Sequence, residues 1–182
     1  MKRSMMQTVF LLVFLLYPLC AGASVIQEKV YDICKYGAKG DGKTLNTNAI
    51  NSAIEYCAEN GGGTVLIPKG TFLSGTIYLK DNISLVLRKG AVLKGTADVS
   101  QYKSYTPLGN LSMFDSGGDG ENANSAIDPH WNRALILGVG VSNISIEGEG
   151  IIDGNHVFDS EGEENMRGPH TIIIAESRNI LM

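Results

Sequence analysis

Only one stretch of this chain repeats apolar residues at helical spacing, and everything after it is short apolar runs broken by glycine and asparagine. In residues 48–59, Ile50, Ala53, Ile54, Cys57 and Ala58 fall on one stripe, as a one-faced helix requires. Asn46 or Thr47 is placed to cap its start, and Asn60-Gly61 to stop it. Beyond Gly63 the candidate strands are residues 65–67, 71–73, 77–79, 83–87, 92–94, 135–137, 144–147, 151–153, 172–175 and 180–182, with no second helix among them. A chain that makes many strands and no crossover helices has two broad options: an antiparallel sandwich or jelly roll, or a solenoid of parallel coils.

A weak repeat favours coils. Asn82-Ile83-Ser84-Leu85, Asn143-Ile144-Ser145-Ile146 and Asn179-Ile180-Leu181-Met182 each set an asparagine just before a strand. Asparagine tolerates a left-handed corner, and stacked asparagines can hydrogen-bond to one another. A single helix at the front then has a use. It covers the apolar residues and unpaired backbone groups that the first coil would otherwise present to water.

The amino terminus reads as an export leader. Lys2 and Arg3 precede an apolar run over residues 9–16 and then Ala21-Gly22-Ala23, the basic, apolar and small-residue order of a secretory signal. The run is too short to span a bilayer, so no stable membrane insertion is expected, and Leu19 suits lipid-linked processing at Cys20 poorly. Residues 1–23 are therefore expected to be a signal peptide, and 24–182 one domain of a secreted or periplasmic protein. Removing them takes away two basic residues of 15 and none of the 19 acidic ones, for a mature charge of 13 − 19 = −6. That charge argues against nucleic acid as a partner, and a polyanionic sugar would need a local cluster of cations. Cys34 and Cys57 remain, either as a disulfide or as two buried thiols, the latter because Cys57 falls on the helix stripe.

Several motifs could carry chemistry. The residues 98–132 form a long polar loop with Tyr102, Tyr105, Phe114 and Trp131, either the wall of a substrate groove or an outer insertion. Asp115 to Glu121 imitates a calcium loop, but Gly117 and Ala126 stand where ligands are needed. It reads as a solvated turn. His130, His156 and His170 have no paired metal spacing, and neither a metal nor a cofactor is expected. Asp159, Glu161, Glu163 and Glu164 read as a solvated acidic connection rather than a paired-carboxylate site. Asp153-Gly154 is either a strand-end carboxylate facing a groove or a tight turn. Arg167 and His170 could meet a carboxylated sugar. Gly61-Gly62-Gly63 follows the helix instead of preceding one, so it is a stop and not a phosphate cradle.

Tyr36-Gly37-Ala38-Lys39-Gly40-Asp41-Gly42, Gly61-Gly62-Gly63-Thr64-Val65, Pro68-Lys69-Gly70-Thr71-Phe72, Asn143 to Gly150 and Ile152-Asp153-Gly154 together resemble the amino-terminal region of polygalacturonases, the pectin-cleaving family 28 glycoside hydrolases. The resemblance implies an all-β, right-handed parallel β-helix with a capping α-helix at its front. It also implies a pectic polysaccharide as partner, a monomer when full length, and inverting hydrolysis of α-linked galacturonate, with carboxylates spaced widely enough to admit a water. β-helical lyases, epimerases and noncatalytic glycan-binding solenoids share the opening block and are the rivals. The family's catalytic motifs are an asparagine-threonine-aspartate, an aspartate pair, a glycine-histidine-glycine and an arginine-x-lysine, and none occurs in these 182 residues. No catalytic residue is therefore assigned. Those residues are expected beyond Met182, in a longer enzyme of which this stretch is an inactive, truncated amino-terminal part, with Arg167 and His170 as its substrate-binding candidates.

Overall fold

The computed structural model describes residues 29–109, 132–160 and 168–182. The leader, Phe114, the Asp115 to Glu121 run, His130, Trp131, Glu161, Glu163, Glu164 and Arg167 lie outside the described residues. Thirteen strands appear among the described residues: β1 (Val30–Asp32), β2 (Asp41–Leu45), β3 (Gly63–Ile67), β4 (Gly70–Ser74), β5 (Ile77–Tyr78), β6 (Ile83–Leu87), β7 (Ala91–Gly95), β8 (Lys103–Ser104), β9 (Arg133–Val139), β10 (Ser142–Gly148), β11 (Ile151–Asp153), β12 (His170–Ala175) and β13 (Arg178–Leu181). One α-helix, α1 (Thr47–Glu59), lies between β2 and β3.

The strands stack into three sheets, ordered β1-β3-β6-β10-β13, β2-β4-β7-β11 and β5-β9-β12. Every ladder along these three is parallel, which excludes the antiparallel sandwich. The chain visits the first, second and third sheets in turn and then starts the next coil, giving a right-handed parallel β-helix with the handedness expected of parallel crossovers. The core is a set of in-register stacks: Val65, Leu85 and Ile146 in the first sheet, Phe72, Leu93 and Ile152 in the second, and Ile77, Ile136 and Ile172 in the third. Each fully buried member contributes about 1.5–3 kcal/mol of burial.

The corner between the third and first sheets explains the asparagine repeat. Asn82, Asn143 and Asn179 have φ of 60, 56 and 56°, left-handed values that most L-residues avoid. Asn143 Nδ2 donates to Asn82 Oδ1 (2.9 Å) and Asn179 Nδ2 to Asn143 Oδ1 (2.8 Å). In the coil before, Gly62 takes the corner with φ of 91° and packs so closely under Asn82 that an added Cβ would run into the Asn82 carbonyl. The ladder thus starts where a side chain first fits.

The front of the solenoid is closed sheet by sheet. β1 and β2 extend the first and second sheets, and α1 protects the third. Asn51 of α1 donates from Nδ2 to the Thr76 carbonyl (3.0 Å) and accepts through Oδ1 from the Tyr78 amide (2.9 Å), so one side-chain amide takes the place of a strand on the free edge of β5. Ile50, Ala53, Ile54 and Cys57 bury the apolar stripe. Asn46 does not cap the helix with its side chain. It is almost fully buried, and its amide bonds Lys39 N, Lys39 O and Thr44 O at 2.7–3.1 Å, tying the opening loop down. The buried side-chain amide satisfies backbone groups of this opening stretch, which leaves it unavailable to the helix amides.

Cys34 and Cys57 are both free, Cys57 buried and Cys34 exposed, which corrects the expectation of two buried thiols. Cys34 sits in a tight 3-10 turn, Ile33–Tyr36, where Ile33 takes the core position and turns Cys34 outward.

Candidate functional site

The corner between the second and third sheets is where the coils stop being alike. From β4 to β5 it is only Gly75-Thr76. From β7 to β9 the chain runs through residues 96–132, and from β11 to β12 through residues 154–169, so successive coils are joined here by two long insertions, whose described residues are 96–109, 132, 154–160 and 168–169. A regular scaffold with irregular loops on one side is the usual arrangement of a binding surface.

Thr76 fastens the first insertion. Its buried hydroxyl donates to the Ala134 carbonyl (2.6 Å) and accepts from the Lys103 amide (2.7 Å), while its own amide donates to Gln101 O (3.1 Å). Tyr102 folds back so that its hydroxyl donates to Thr96 O (2.7 Å). Burial, with the Asp153 charge adding to it, pushes the Tyr102 phenol up to about 12. Further along, Glu176, at the left-handed turn after β12 (φ 51°), accepts from the amides of Leu108 and Gly109 at 2.6 and 2.7 Å. The first insertion is thereby held at both its base and its middle.

The second insertion is anchored by charge. Arg133, the first residue of β9, meets Asp159 at 2.8 Å, with side chains only 15 and 9 % exposed. Asp159 was expected in a solvated acidic run. It is buried instead, because a chain returning across the corner brings it against the one guanidinium at the root of the first insertion. Asp153 ends β11, accepts from the Asn155 amide (2.8 Å) and lies 3.9 Å from the Lys94 ammonium. The tight-turn reading of Asp153-Gly154 holds. The carboxylate is also partly exposed, on the outer face of the second sheet. The next residues, Asn155 and His156, are both left-handed (φ 61 and 46°), and the His156 ring stands edge-on to Phe158 at 4.8 Å.

Of the two expected sugar-binding residues, His170 opens β12 in register with Ala134 and is half-buried. Arg167 lies just outside the described residues. Arg133, Glu176 and Thr76 had no sequence signal, since each acts on a segment distant in the chain. Among the described residues no three His, Cys, Asp or Glu side chains converge as metal ligands, and no helix is long and apolar enough to cross a membrane. A concavity of about 490 Å³ opens on the outer face of the first sheet between Val30, Leu66, Val86, Arg88, Lys89 and Glu149. Its floor is aliphatic and no insertion overhangs it within the described residues, so the corner of the second and third sheets is the stronger site.

The sequence matches the family described as rhamnogalacturonase A/epimerase, pectate lyase-like, over residues 30–176. The chain belongs to that family. The match takes in both insertions and the Glu176 turn. Its curated relatives include the exo-poly-α-D-galacturonosidase of Dickeya chrysanthemi, 39 % identical over 128 residues, which cover 70 % of this chain and 20 % of that protein. A probable polygalacturonase of Vitis vinifera is 32 % identical over 123 residues, covering 65 % of this chain and 23 % of that one. Among solved structures, the family 28 exopolygalacturonase of Yersinia enterocolitica superposes with a TM-score of 0.56 at 30 % identity, over 74 % of this chain and 22 % of that one. The chain therefore spans about a fifth of the length of these relatives. For a pectate lyase-like coil, the two-insertion corner is the feature that departs from bare scaffold.

Proposed function

We propose that these residues are the amino-terminal coils of an exported glycoside hydrolase that cleaves α-linked galacturonate in pectin with inversion, and that they contribute scaffold and substrate contacts but no catalytic acid. The observation that supports it most is the similarity to an exo-poly-α-D-galacturonosidase over 70 % of the chain, on a β-helix whose insertions gather at one corner. His170 opens β12 at that corner, and with Arg167, three residues before it in the chain, offers the polar and cationic groups a uronate carboxylate needs. Among the described residues, the carboxylates Asp159 and Asp153 are engaged, Asp159 by Arg133 and Asp153 by Lys94 and the Asn155 amide. Neither of these two is paired with another described carboxylate across a gap that would hold a water, as inversion requires. Export follows from the basic, apolar and small-residue order of residues 1–23.

The test is incubation of the 182-residue chain with polygalacturonate, measuring retention on the polymer, new reducing ends and ultraviolet-absorbing unsaturated products. Retention without either product is the expected result. New reducing ends would overturn the noncatalytic assignment, and unsaturated products would replace the hydrolase with a lyase. Amino-terminal sequencing of the protein recovered outside the cytoplasm should begin at Ser24.

A further inference from the structure

Phe158 is presented in a way that a core or a plain turn does not require. It is 59 % exposed, whereas Val157 before it packs against the core cluster and Asp159 after it is 7 % exposed and locked to Arg133. The residues on either side are anchors, and the phenyl ring is what they hold out. Gly168 closes on the same point: an added Cβ there would run into the Val157 carbonyl. Only glycine allows that approach. Upstream, Asn155 and His156 take successive left-handed conformations, which cost free energy and persist only where the surroundings impose them. Their effect is to turn the His156 ring to 90° against Phe158 at 4.8 Å, an edge-to-face brace that fixes the plane of the phenyl. An exposed aromatic alone needs no explanation. One that is clamped on both sides, braced by a second ring and paid for in backbone strain does.

We propose that Phe158, oriented by His156, is a stacking platform for a galacto-configured sugar ring at the corner of the second and third sheets. The inference rests on the pectic reading above and names a binding residue within it. In a galacto-configured pyranose the axial O4 leaves the C3, C4 and C5 hydrogens together on one face. That face is apolar and faintly positive, complementary to the negative face of a phenyl ring. Lys94, 38 % exposed, lies one coil before, in register with Asp153 and 3.9 Å from its carboxylate, and the carboxylate that distinguishes galacturonate from galactose would share this ammonium with Asp153. The aromatic ring selects the ring shape and the cation the charge.

The experiment is affinity electrophoresis of the full chain through gels containing graded polygalacturonate or, in parallel, neutral linear galactan. Phe158→Ala and Phe158→Leu should each weaken retardation in polygalacturonate by on the order of tenfold, as loss of an aromatic anchor does. Phe158→Trp should stay near wild type, and all variants should keep the wild-type circular dichroism, since the ring is exposed. His156→Ala should give an intermediate loss. Unchanged retardation of Phe158→Ala would overturn the platform while leaving the pectic reading intact. Retardation only in galactan, lost in Phe158→Ala and kept in Phe158→Trp, would uphold the platform and overturn the uronate reading. Wild type passing unretarded through both gels would overturn both.

Discussion

Replacing the middle rung of the asparagine ladder separates two effects that the fold combines there. Asn143 holds a φ of 56° and makes one amide bond upward, to Asn82, and one downward, from Asn179. Both bonds are exposed to water, so each is worth about 0.5 kcal/mol, the low end for a net hydrogen bond. In Asn143→Ala both are lost, and the new residue also pays about 1 kcal/mol to stay left-handed, a cost asparagine partly escapes through its local polar contacts. The sum is about 2 kcal/mol. In Asn143→Gly the strain is relieved, and the added unfolded-state entropy is of similar size and opposite sign. The lost bonds remain, about 1 kcal/mol. Urea unfolding followed by circular dichroism resolves the difference: with a slope of about 2 kcal/mol per molar, the midpoints should fall by about 1 M for alanine and about 0.5 M for glycine. Equal shifts for the two variants would show that the left-handed corner carries no cost, and no shift for either would show that the ladder contributes nothing. A cycle with Asn82→Ala should recover about 0.5 kcal/mol of coupling through the upper bond.

Three further outcomes follow from the same structure. Arg133→Ala should cost about 3 kcal/mol, because it removes the charge partner of a buried carboxylate, and Arg133→Lys should cost less; the urea midpoint measures both, and a near-neutral Arg133→Ala would mean that the guanidinium is not what holds Asp159 in place. Cys57, whose thiol burial pushes up to about 11, should react with an aromatic disulfide reagent only on unfolding, while exposed Cys34 reacts in the native protein but slowly, its thiol raised by partial burial and by Asp32; a native count of two fast thiols would contradict this. Asp41 is lowered from 3.8 to about 2, chiefly by the Thr44 and Lys43 amides that it accepts from. A depressed carboxylate contributes stability that is whole above its unfolded value and disappears as pH falls through the folded one. The advantage of the wild type over Asp41→Ala should therefore be constant above 3.8, shrink between 3.8 and about 2, and be gone below; an advantage that survives below that window would place its origin elsewhere.

All ten strands read from apolar runs are present, and so is α1, because each carries its own signal: an inward stack of aliphatic residues or a helical stripe. β1, β2 and the two-residue β8, which pairs only with β9, carry no such signal, and for β1 and β2 the reason is physical. They lie at the free edge of their sheets, and β2 is mostly exposed and interrupted by the Asp41 turn, in which Oδ1 accepts from the Lys43 and Thr44 amides. No alternation marks a strand that buries no face. The same logic applies to Asn46, whose position before the helix suggested a cap while its burial against the opening loop decided otherwise.

The sequence by itself determined the coil. Asparagine and glycine mark corners that they occupy cheaply, and the repeated asparagine before short aliphatic runs favours stacked coils over a sandwich, which the parallel ladders then exclude. These are local demands, written within a few residues. What the tertiary structure alone decided is the corner where function is proposed: that the described ends of the two insertions meet there, that Arg133 faces Asp159, that Glu176 grips the Leu108 and Gly109 amides, and that Phe158 is held outward. Each joins residues separated by one or more turns of the solenoid. The register between coils, set by the sum of all the stacked positions, brings them together, and no single stretch of sequence carries it.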